Sequence, residues 1–336
     1  MNNIIEIKPL LEAAVKPNIV ITTHHKPDAD ALGSSLGLYN YLILKGLNPV
    51  VVSPTDYGEF LKWMPNEQTV VNFEAEHDKA ASLVANADLI FCLDFNALKR
   101  INKLGELVAA SSAKKVMIDH HLEPENFAVY QLHNAQRSST CELVFEMIEI
   151  FGDEDLVTED IANCLYAGIM TDTASFKHGS TYPSTHKVAA KLLAKGAKPN
   201  LVYEHIYDNF SFDRMRFIGY CLNEKMQLLK EYNTALMCIT AEELARFNSI
   251  TGDTEGLVNY GLAIRGIKFS VLIVDRTEAC KMSFRSKGNF PANEFARKYF
   301  SGGGHFNAAG GESKETLEIT EAKFKEALKE YKHLLI

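Results

Sequence analysis

The sequence predicts an α/β fold. It comprises a mostly parallel sheet flanked by helices and a smaller C-terminal α+β domain, with a cleft between the two. Three observations carry this expectation. Short apolar, β-branched runs alternate with helix-period stretches through the first half, the pattern of parallel strands joined by helices. The length of 336 residues, 46% of them hydrophobic and 23% charged, fits a globular chain of about two domains. From about Tyr232 onward the strand and helix patterns shorten and regroup. The shifts divide the chain into a first domain over 1–195, a helical connector over 196–231 and a second domain over 232–336.

Asn18 to Thr23 (NIVITT) is rich in β-branched residues and predicts the first strand. Ala31 to Lys45 carries apolar residues at helical spacing. Pro49 to Ser53, Asp88 to Leu93 and Lys115 to Ile118 read as further buried strands. Arg137 to Phe151 begins as a polar loop and becomes a helix, with Ser138 or Ser139 as its cap and Glu142 in support. Ile161 to Met170 and Thr185 to Lys195 are helix-like, the latter with Pro183 near its start. In the second domain, Ala235 to Thr240, Phe269 to Asp275 and Ala279 to Arg285 predict strands. Ala241 to Asn248 and Ala292 to Tyr299 predict helices, and a glycine-rich segment, Ser301 to Gly311, follows and reads as a turn.

Composition narrows the function. The formal net charge of −8 argues against a grip on long nucleic acid, which calls for a basic surface. Small anionic substrates remain compatible, because Asn259 to Gly311 holds eight Lys and Arg residues against three acidic ones. No apolar run approaches the length of a membrane span. MNNIIEIKPL lacks the basic and apolar regions of a signal peptide, so a cytoplasmic location is expected. The six cysteines form no C-x-x-C pair and read as reduced core thiols rather than zinc ligands.

Four polar clusters follow the apolar runs of the first half. They are His24, Asp28 and Asp30 in HHKPDADALGS, Asp94 in LIFCLDFN, Asp119, His120 and His121 in KVMIDHH, and Asp172 in AGIMTDTASF. In parallel sheets functional groups collect beyond the carboxyl ends of strands, where three of these clusters lie. Taken singly, Asp94 or Asp172 could merely cap a turn or a helix. Together they gather carboxylates and imidazoles at a cost that a bound cation offsets. Oxygen and nitrogen donors without thiolates suit Mn²⁺ or Mg²⁺, and the carboxylates suffice for two ions sharing one Asp. Metal-assisted hydrolysis is the chemistry this predicts.

These four motifs resemble, in order, those of the DHH phosphoesterases, and SGGGHFNAAGG resembles the hallmark of the companion DHHA1 domain. Within that family the chain is most similar to the compact nanoRNase and pAp-phosphatase type. The resemblance implies two Mn²⁺ per chain, with Mg²⁺ or Co²⁺ as alternatives. His24 and Asp28 would bind one ion, Asp30, His120 and Asp172 the other, and Asp94 would bridge them. His121 would face the scissile phosphate and Asp119 would orient its neighbours, while His25 points elsewhere. Arg285, His305, Gly303 and Gly304 would contact substrate, with Arg265 as a weaker candidate, while Ser138, Ser139 and Thr140 read equally as hydroxyls at the metal side, Ser139 reaching substrate, or as a simple helix cap. Arg137 reads equally as a phosphate contact or a solvent-exposed residue. The substrates implied are short RNA oligonucleotides, cleaved to nucleoside monophosphates, and 3′-phosphoadenosine 5′-phosphate (pAp), converted to AMP. Phosphodiesterase action on linear or cyclic dinucleotides is the alternative. No membrane or long nucleic acid is expected as a partner, and a homodimer is compatible with the reading.

Overall fold

The computed structural model describes residues 3–336 and comprises two compact units that divide between Asn209 and Phe210. In the first unit the strands are β1 (Ile19–Thr22), β2 (Pro49–Ser53), β3 (Val71–Asn72), β4 (Leu89–Leu93), β5 (Lys114–Asp119) and β6 (Tyr130–His133). They form one sheet in the order β3-β2-β1-β4-β5-β6, and every neighbouring pair is parallel. The helices are α1 (Lys8–Leu11), α2 (Ala29–Leu44), α3 (His77–Ala85), α4 (Asn102–Ala110), α5 (Thr140–Phe151), α6 (Glu159–Asp172), α7 (Pro183–Ala194) and α8 (Pro199–Tyr207).

Both faces of this sheet are covered, which is why its strands read as continuous apolar runs. Ile19, Ile21, Phe91, Val116 and Ile118 point to the core shared with α2, α5 and α6. Val20, Val52, Ile90 and Cys92 point to a second core shared with α3 and α4. The strand order reverses between β1 and β4. Beyond the carboxyl ends of strands at such a switch point lies the crevice where ligands bind in open α/β sheets. His24 and Asp94 follow those two strand ends.

Glycines set how closely α2 and α6 approach. A Cβ on Gly33 would lie 2.5 Å from the carbonyl oxygen of Cys164, and one on Gly37 would lie 2.6 Å from Cδ2 of Leu165. On α6, a Cβ on Gly168 would lie 2.3 Å from Sγ of Cys141 and 2.6 Å from Oδ1 of Asp30. The crossing therefore brings the start of α2 and the end of α6 to one place.

Beyond α6 the backbone turns left-handed for three successive non-glycine residues, Ala174, Ser175 and Phe176, with φ of 49°, 59° and 61°. The buried Thr173 hydroxyl fastens this turn, donating to the Ile169 carbonyl at 2.7 Å and accepting from the Phe176 N–H at 2.9 Å. Phe176 stacks on His186, with ring centroids 5.4 Å apart. Left-handed geometry costs an L-residue about 1–2 kcal/mol, and glycine avoids this at an entropic cost of about half that. Ala174→Gly should thus raise the thermal midpoint by a few degrees without loss of metal binding, measured by calorimetry. A lowered midpoint would show that the turn is not strained.

The second unit is built on β7 (Gln227–Leu229), β8 (Thr234–Ile239), β9 (Phe269–Asp275), β10 (Cys280–Ser286), β11 (Gly303–His305) and β12 (Ala308–Ser313). Their order is β11-β12-β10-β9-β8-β7, with β8 and β9 parallel and the other pairs antiparallel. Its helices are α9 (Phe212–Tyr220), α10 (Ala241–Arg246), α11 (Asn259–Leu262), α12 (Ala292–Tyr299), α13 (Leu317–Glu330) and α14 (Lys332–Leu335). Phe269, Phe284, Phe290, Phe295 and Phe324 form an aromatic core on one face. Residues 196–231 are shared out: α8 belongs to the first unit, α9 and β7 to the second.

Two expectations need correction. The glycine-rich segment is a β-hairpin, since Gly303, Gly304 and His305 pair with Gly310, Ala309 and Ala308. The basic stretch is partly neutralised by its own neighbours. Lys281 and Lys298 are paired with Glu312 and Glu330, and Arg276 donates to Thr254 at 3.0 Å.

Candidate metal centre

Eight of the residues singled out by sequence converge in the first unit. Asp28 is the N-cap of α2, its Oδ1 accepting from the N–H groups of Asp30 and Ala31 at 3.0 Å each. Asp30 lies in the first turn and is fully buried. Its Oδ2 and Oδ1 accept from the N–H groups of Thr140 and Cys141 at 2.7 and 2.8 Å. The N-terminus of α5 is thus aimed at this carboxylate, the favourable end of the helix dipole for an anion. Asp94 follows β4 with φ of 64°, and Asp119 ends β5. Asp172 is the last residue of α6, so the reading of it as an N-cap is corrected. A carboxylate at a helix C-terminus is disfavoured by the dipole unless a cation compensates it.

The side chains form two groups that meet at Asp94. His24 Nε2 lies 3.3 Å from Asp94 Oδ2 and 3.8 Å from Asp28 Oδ1. His120 Nε2 lies 3.5 Å from Asp94 Oδ1, 3.4 Å from Asp172 Oδ2 and 3.8 Å from Asp30 Oδ2. The donor atoms of His24, Asp28 and Asp94, and separately of Asp30, His120 and Asp172, are close enough to hold an ion. Asp94 directs one oxygen to each side.

Backbone carbonyls settle which ring nitrogen faces the cluster. His24 Nδ1 lies 3.0 Å from the His25 carbonyl oxygen, and His120 Nδ1 lies 3.3 Å from that of Arg137. A carbonyl only accepts, so both Nδ1 atoms donate and both Nε2 atoms turn toward carboxylates. This is the arrangement by which proteins orient metal-binding histidines. His121 differs, with Nδ1 donating to Asp119 Oδ1 at 2.7 Å. His25 uses its backbone N–H on the Arg100 carbonyl at 2.9 Å.

Protonation shows how the cluster balances its own charge. Burial opposes charge on His24, yet Asp28 and Asp94 outweigh it and push its pKa up to about 10. His120 is likewise pushed up to about 10, with Asp94, Asp172 and Asp30 outweighing burial. Burial and the neighbouring Asp94 raise Asp30 to about 7, and burial with Asp30 and Asp28 raises Asp172 well above the carboxylate range. Protons stand in for positive charge that the residues are arranged to receive, and the donor set of carboxylate oxygens and imidazole nitrogens fits hard or borderline divalent ions. His121 moves the other way. Burial and the Arg100 charge hold it below the usual imidazole range against the pull of Asp119.

The sign of the pH effect follows. Folded pKa values of His24 and His120 above the ordinary 6.5 stabilise the metal-free protein below about 6.5, and this is lost as pH rises through about 10. Divalent ions must displace these protons, so Mn²⁺ should bind more tightly as pH rises through that window. At about pH 8 binding should release protons, measurable by calorimetry in two buffers of different ionisation heat. Binding heats independent of the buffer would show that the rings are already neutral.

The family model for the N-terminal domain of the DHH family matches residues 18–169, and that for the DHHA1 domain matches residues 236–336. The chain is 31% identical over 300 residues to the bifunctional oligoribonuclease and PAP phosphatase NrnA of Thermus thermophilus, a match covering 88% of this chain and 84% of that protein. The chain belongs to the DHH family. An exopolyphosphatase-related protein from Bacteroides fragilis superposes with a TM-score of 0.92 at 42% identity, over 99% of this chain and 97% of that one. RecJ of Thermus thermophilus, solved with Mn²⁺, shares the fold with a TM-score of 0.55 at 13% identity, over 99% of this chain and 55% of that one. No helix among the described residues is long and apolar enough to cross a membrane.

In the DHHA1 part of this DHH-family chain, Arg285 and His305 are both opposite Ala308, one on β10 and one on β11. Directly opposed residues share a sheet face. That face is the one away from Phe284 and Ala309, which lie in the aromatic core. Arg265 is exposed in the turn after α11, apart from this row. Ser139 is buried, and its hydroxyl caps α5 by accepting from the Glu142 N–H at 3.1 Å. Glu142 does not complete a capping box with it. Its Oε2 instead accepts from Ser138 N–H and Oγ–H at 2.9 and 2.7 Å. Arg137 is paired with Glu146 at 2.6 Å. Sequence reasoning missed Arg100, whose signal was only its place shortly after Asp94.

Proposed function

We propose that this chain is a two-metal phosphoesterase that hydrolyses short RNA oligonucleotides to nucleoside monophosphates and converts pAp to AMP. The observation that carries the reading is the pair of donor groups on either side of Asp94, which belongs to one and lies 3.5 Å from His120 of the other, each group with a histidine whose Nδ1 is tied to a backbone carbonyl. The likeness along most of the chain to an enzyme named as oligoribonuclease and PAP phosphatase supports the substrate class.

His24, Asp28 and Asp94 would hold one ion, and Asp30, His120 and Asp172 with Asp94 the other. Mn²⁺ is the ion proposed, with Mg²⁺ or Co²⁺ as substitutes. Bound there, such ions supply an activated water and neutralise charge developing at phosphorus. The chain's own residues do the rest. Asp119 fixes the His121 tautomer with its proton on Nδ1. That leaves a neutral ring to exchange a proton through Nε2. Arg285 offers a guanidinium to a phosphate, and His305 offers an imidazole beside it on the same face.

Hydrolysis of a dinucleotide, a pentanucleotide, a long RNA and pAp, side by side with Mn²⁺ and then EDTA, tests the reading. Mn²⁺-dependent turnover of the short RNAs and pAp, with little on the long RNA, is expected. Turnover of the dinucleotide alone would replace it with a dinucleotide phosphodiesterase. His305→Ala should raise KM for pAp by about tenfold or more, the loss of one charged hydrogen bond, while the ion content stays constant. An unchanged KM would remove the second unit from substrate binding.

A further inference from the structure

One residue of the first unit touches carboxylates on both sides of the candidate metal centre. Thr140 is fully buried at the first position of α5. Its Oγ1 donates to Asp94 Oδ1 at 3.0 Å, and its backbone N–H donates to Asp30 Oδ2 at 2.7 Å. Asp94 Oδ1 is the oxygen on the His120 side, and Oδ2 the one on the His24 side. A hydrogen bond to Oδ1 therefore fixes the rotation of the carboxylate and, with it, where both oxygens point. A buried hydroxyl without a partner is costly, so the bond also fixes the Thr140 rotamer.

Thr140 is itself held from behind. The Ser139 hydroxyl caps α5, and Ser138 is bonded through N–H and Oγ–H to the buried Glu142 carboxylate. Thr185 on α7 donates to the same Glu142 oxygen at 3.0 Å. The first turn of α5, which carries Thr140, is thus anchored to α7, and neither Asp94 nor Asp30 can turn without breaking a bond to a fixed donor.

We propose that Thr140 is a positioning residue that sets the spacing of the two ion sites, through its hydroxyl on Asp94 and its N–H on Asp30. This rests on the metal-centre reading above. Side chains that orient metal ligands typically change ion affinity by about 10- to 100-fold when removed. Thr140→Val keeps the shape and the backbone N–H and deletes only the hydroxyl. Thr140→Ser restores the hydroxyl.

Titration calorimetry with Mn²⁺ on the full chain is the test, with thermal midpoints measured in EDTA and in Mn²⁺. Thr140→Val should bind Mn²⁺ about 10- to 100-fold more weakly, and Thr140→Ser should recover the unsubstituted affinity. If Thr140→Val does not fold, as judged by circular dichroism, Thr140→Ala takes its place with the same expected loss. A merely structural role would lower the midpoint equally in EDTA and Mn²⁺ and leave affinity unchanged. That result would overturn the inference. Mn²⁺ failing to bind the unsubstituted chain would overturn the metal-centre reading and the inference with it. Mn²⁺ binding without turnover of RNA or pAp would overturn the substrate assignment alone.

Discussion

Asp94→Ala should abolish hydrolysis, lowering kcat by about three orders of magnitude or more, the scale expected when charge at the reacting centre is no longer stabilised. The Asp94 carboxylate lies close to His24 Nε2, His120 Nε2 and the Thr140 hydroxyl at once, at 3.3, 3.5 and 3.0 Å. Its removal takes a donor from both ion groups. Bound Mn²⁺, counted by elemental analysis, should fall for both sites rather than one. Asp94→Asn keeps the shape but loses the charge and should be nearly as damaging. His24→Ala, by contrast, should spare the His120 side. If Asp94→Ala kept one ion at full occupancy, Asp94 would belong to one site and not to both.

Gly168→Ala is expected to damage both the packing of the first unit and the candidate metal centre. The added Cβ would lie 2.3 Å from Cys141 Sγ, 2.6 Å from Asp30 Oδ1 and 2.9 Å from Asp30 Cα. Asp30 cannot yield, since two N–H groups of α5 grip its carboxylate. Either α6 withdraws, carrying Asp172 with it, or Asp30 is pushed out of place. Overpacking of this kind costs about 1–3 kcal/mol. A displacement near 1 Å at a reacting centre costs about 100-fold in rate. Gly179→Ala is the control, because a Cβ there meets nothing within 4 Å. Full activity and an unchanged midpoint in Gly168→Ala would sink the claim that close helix packing places Asp30.

Much of this was legible in the sequence, for physical reasons that differ by element. β1, β2, β4 and β5 were visible because a sheet covered on both faces needs apolar residues at every position. β6 escaped because its residues, YQLH, are mostly half-buried at an edge and carry no such run. β3 is two residues long and leaves no period to detect. The convergence of these polar residues was legible because most of them lie just beyond a strand end, where chain direction alone brings polar groups together. Thr140 was legible only as one of three hydroxyls that could face the metal side or cap a helix, and Glu142 only as support for the cap, since their partners depend on α5 meeting α2 and α7, and no local pattern records which helix lies opposite. The hairpin of β11 and β12 was read as a turn because glycine disfavours strands in general. Here its pairing with β12 overrides that preference.

The candidate ligands run from His24 to Asp172, and all lie in a unit with its own cores, while the second unit has others. An unfolded chain keeps these groups tens of residues apart and offers an ion no cage. On the metal-centre reading, the free energy of ion capture would be coupled to the first unit's folding. The thermal endurance of the half with the parallel sheet should then be adjustable from outside by the concentration of a divalent salt.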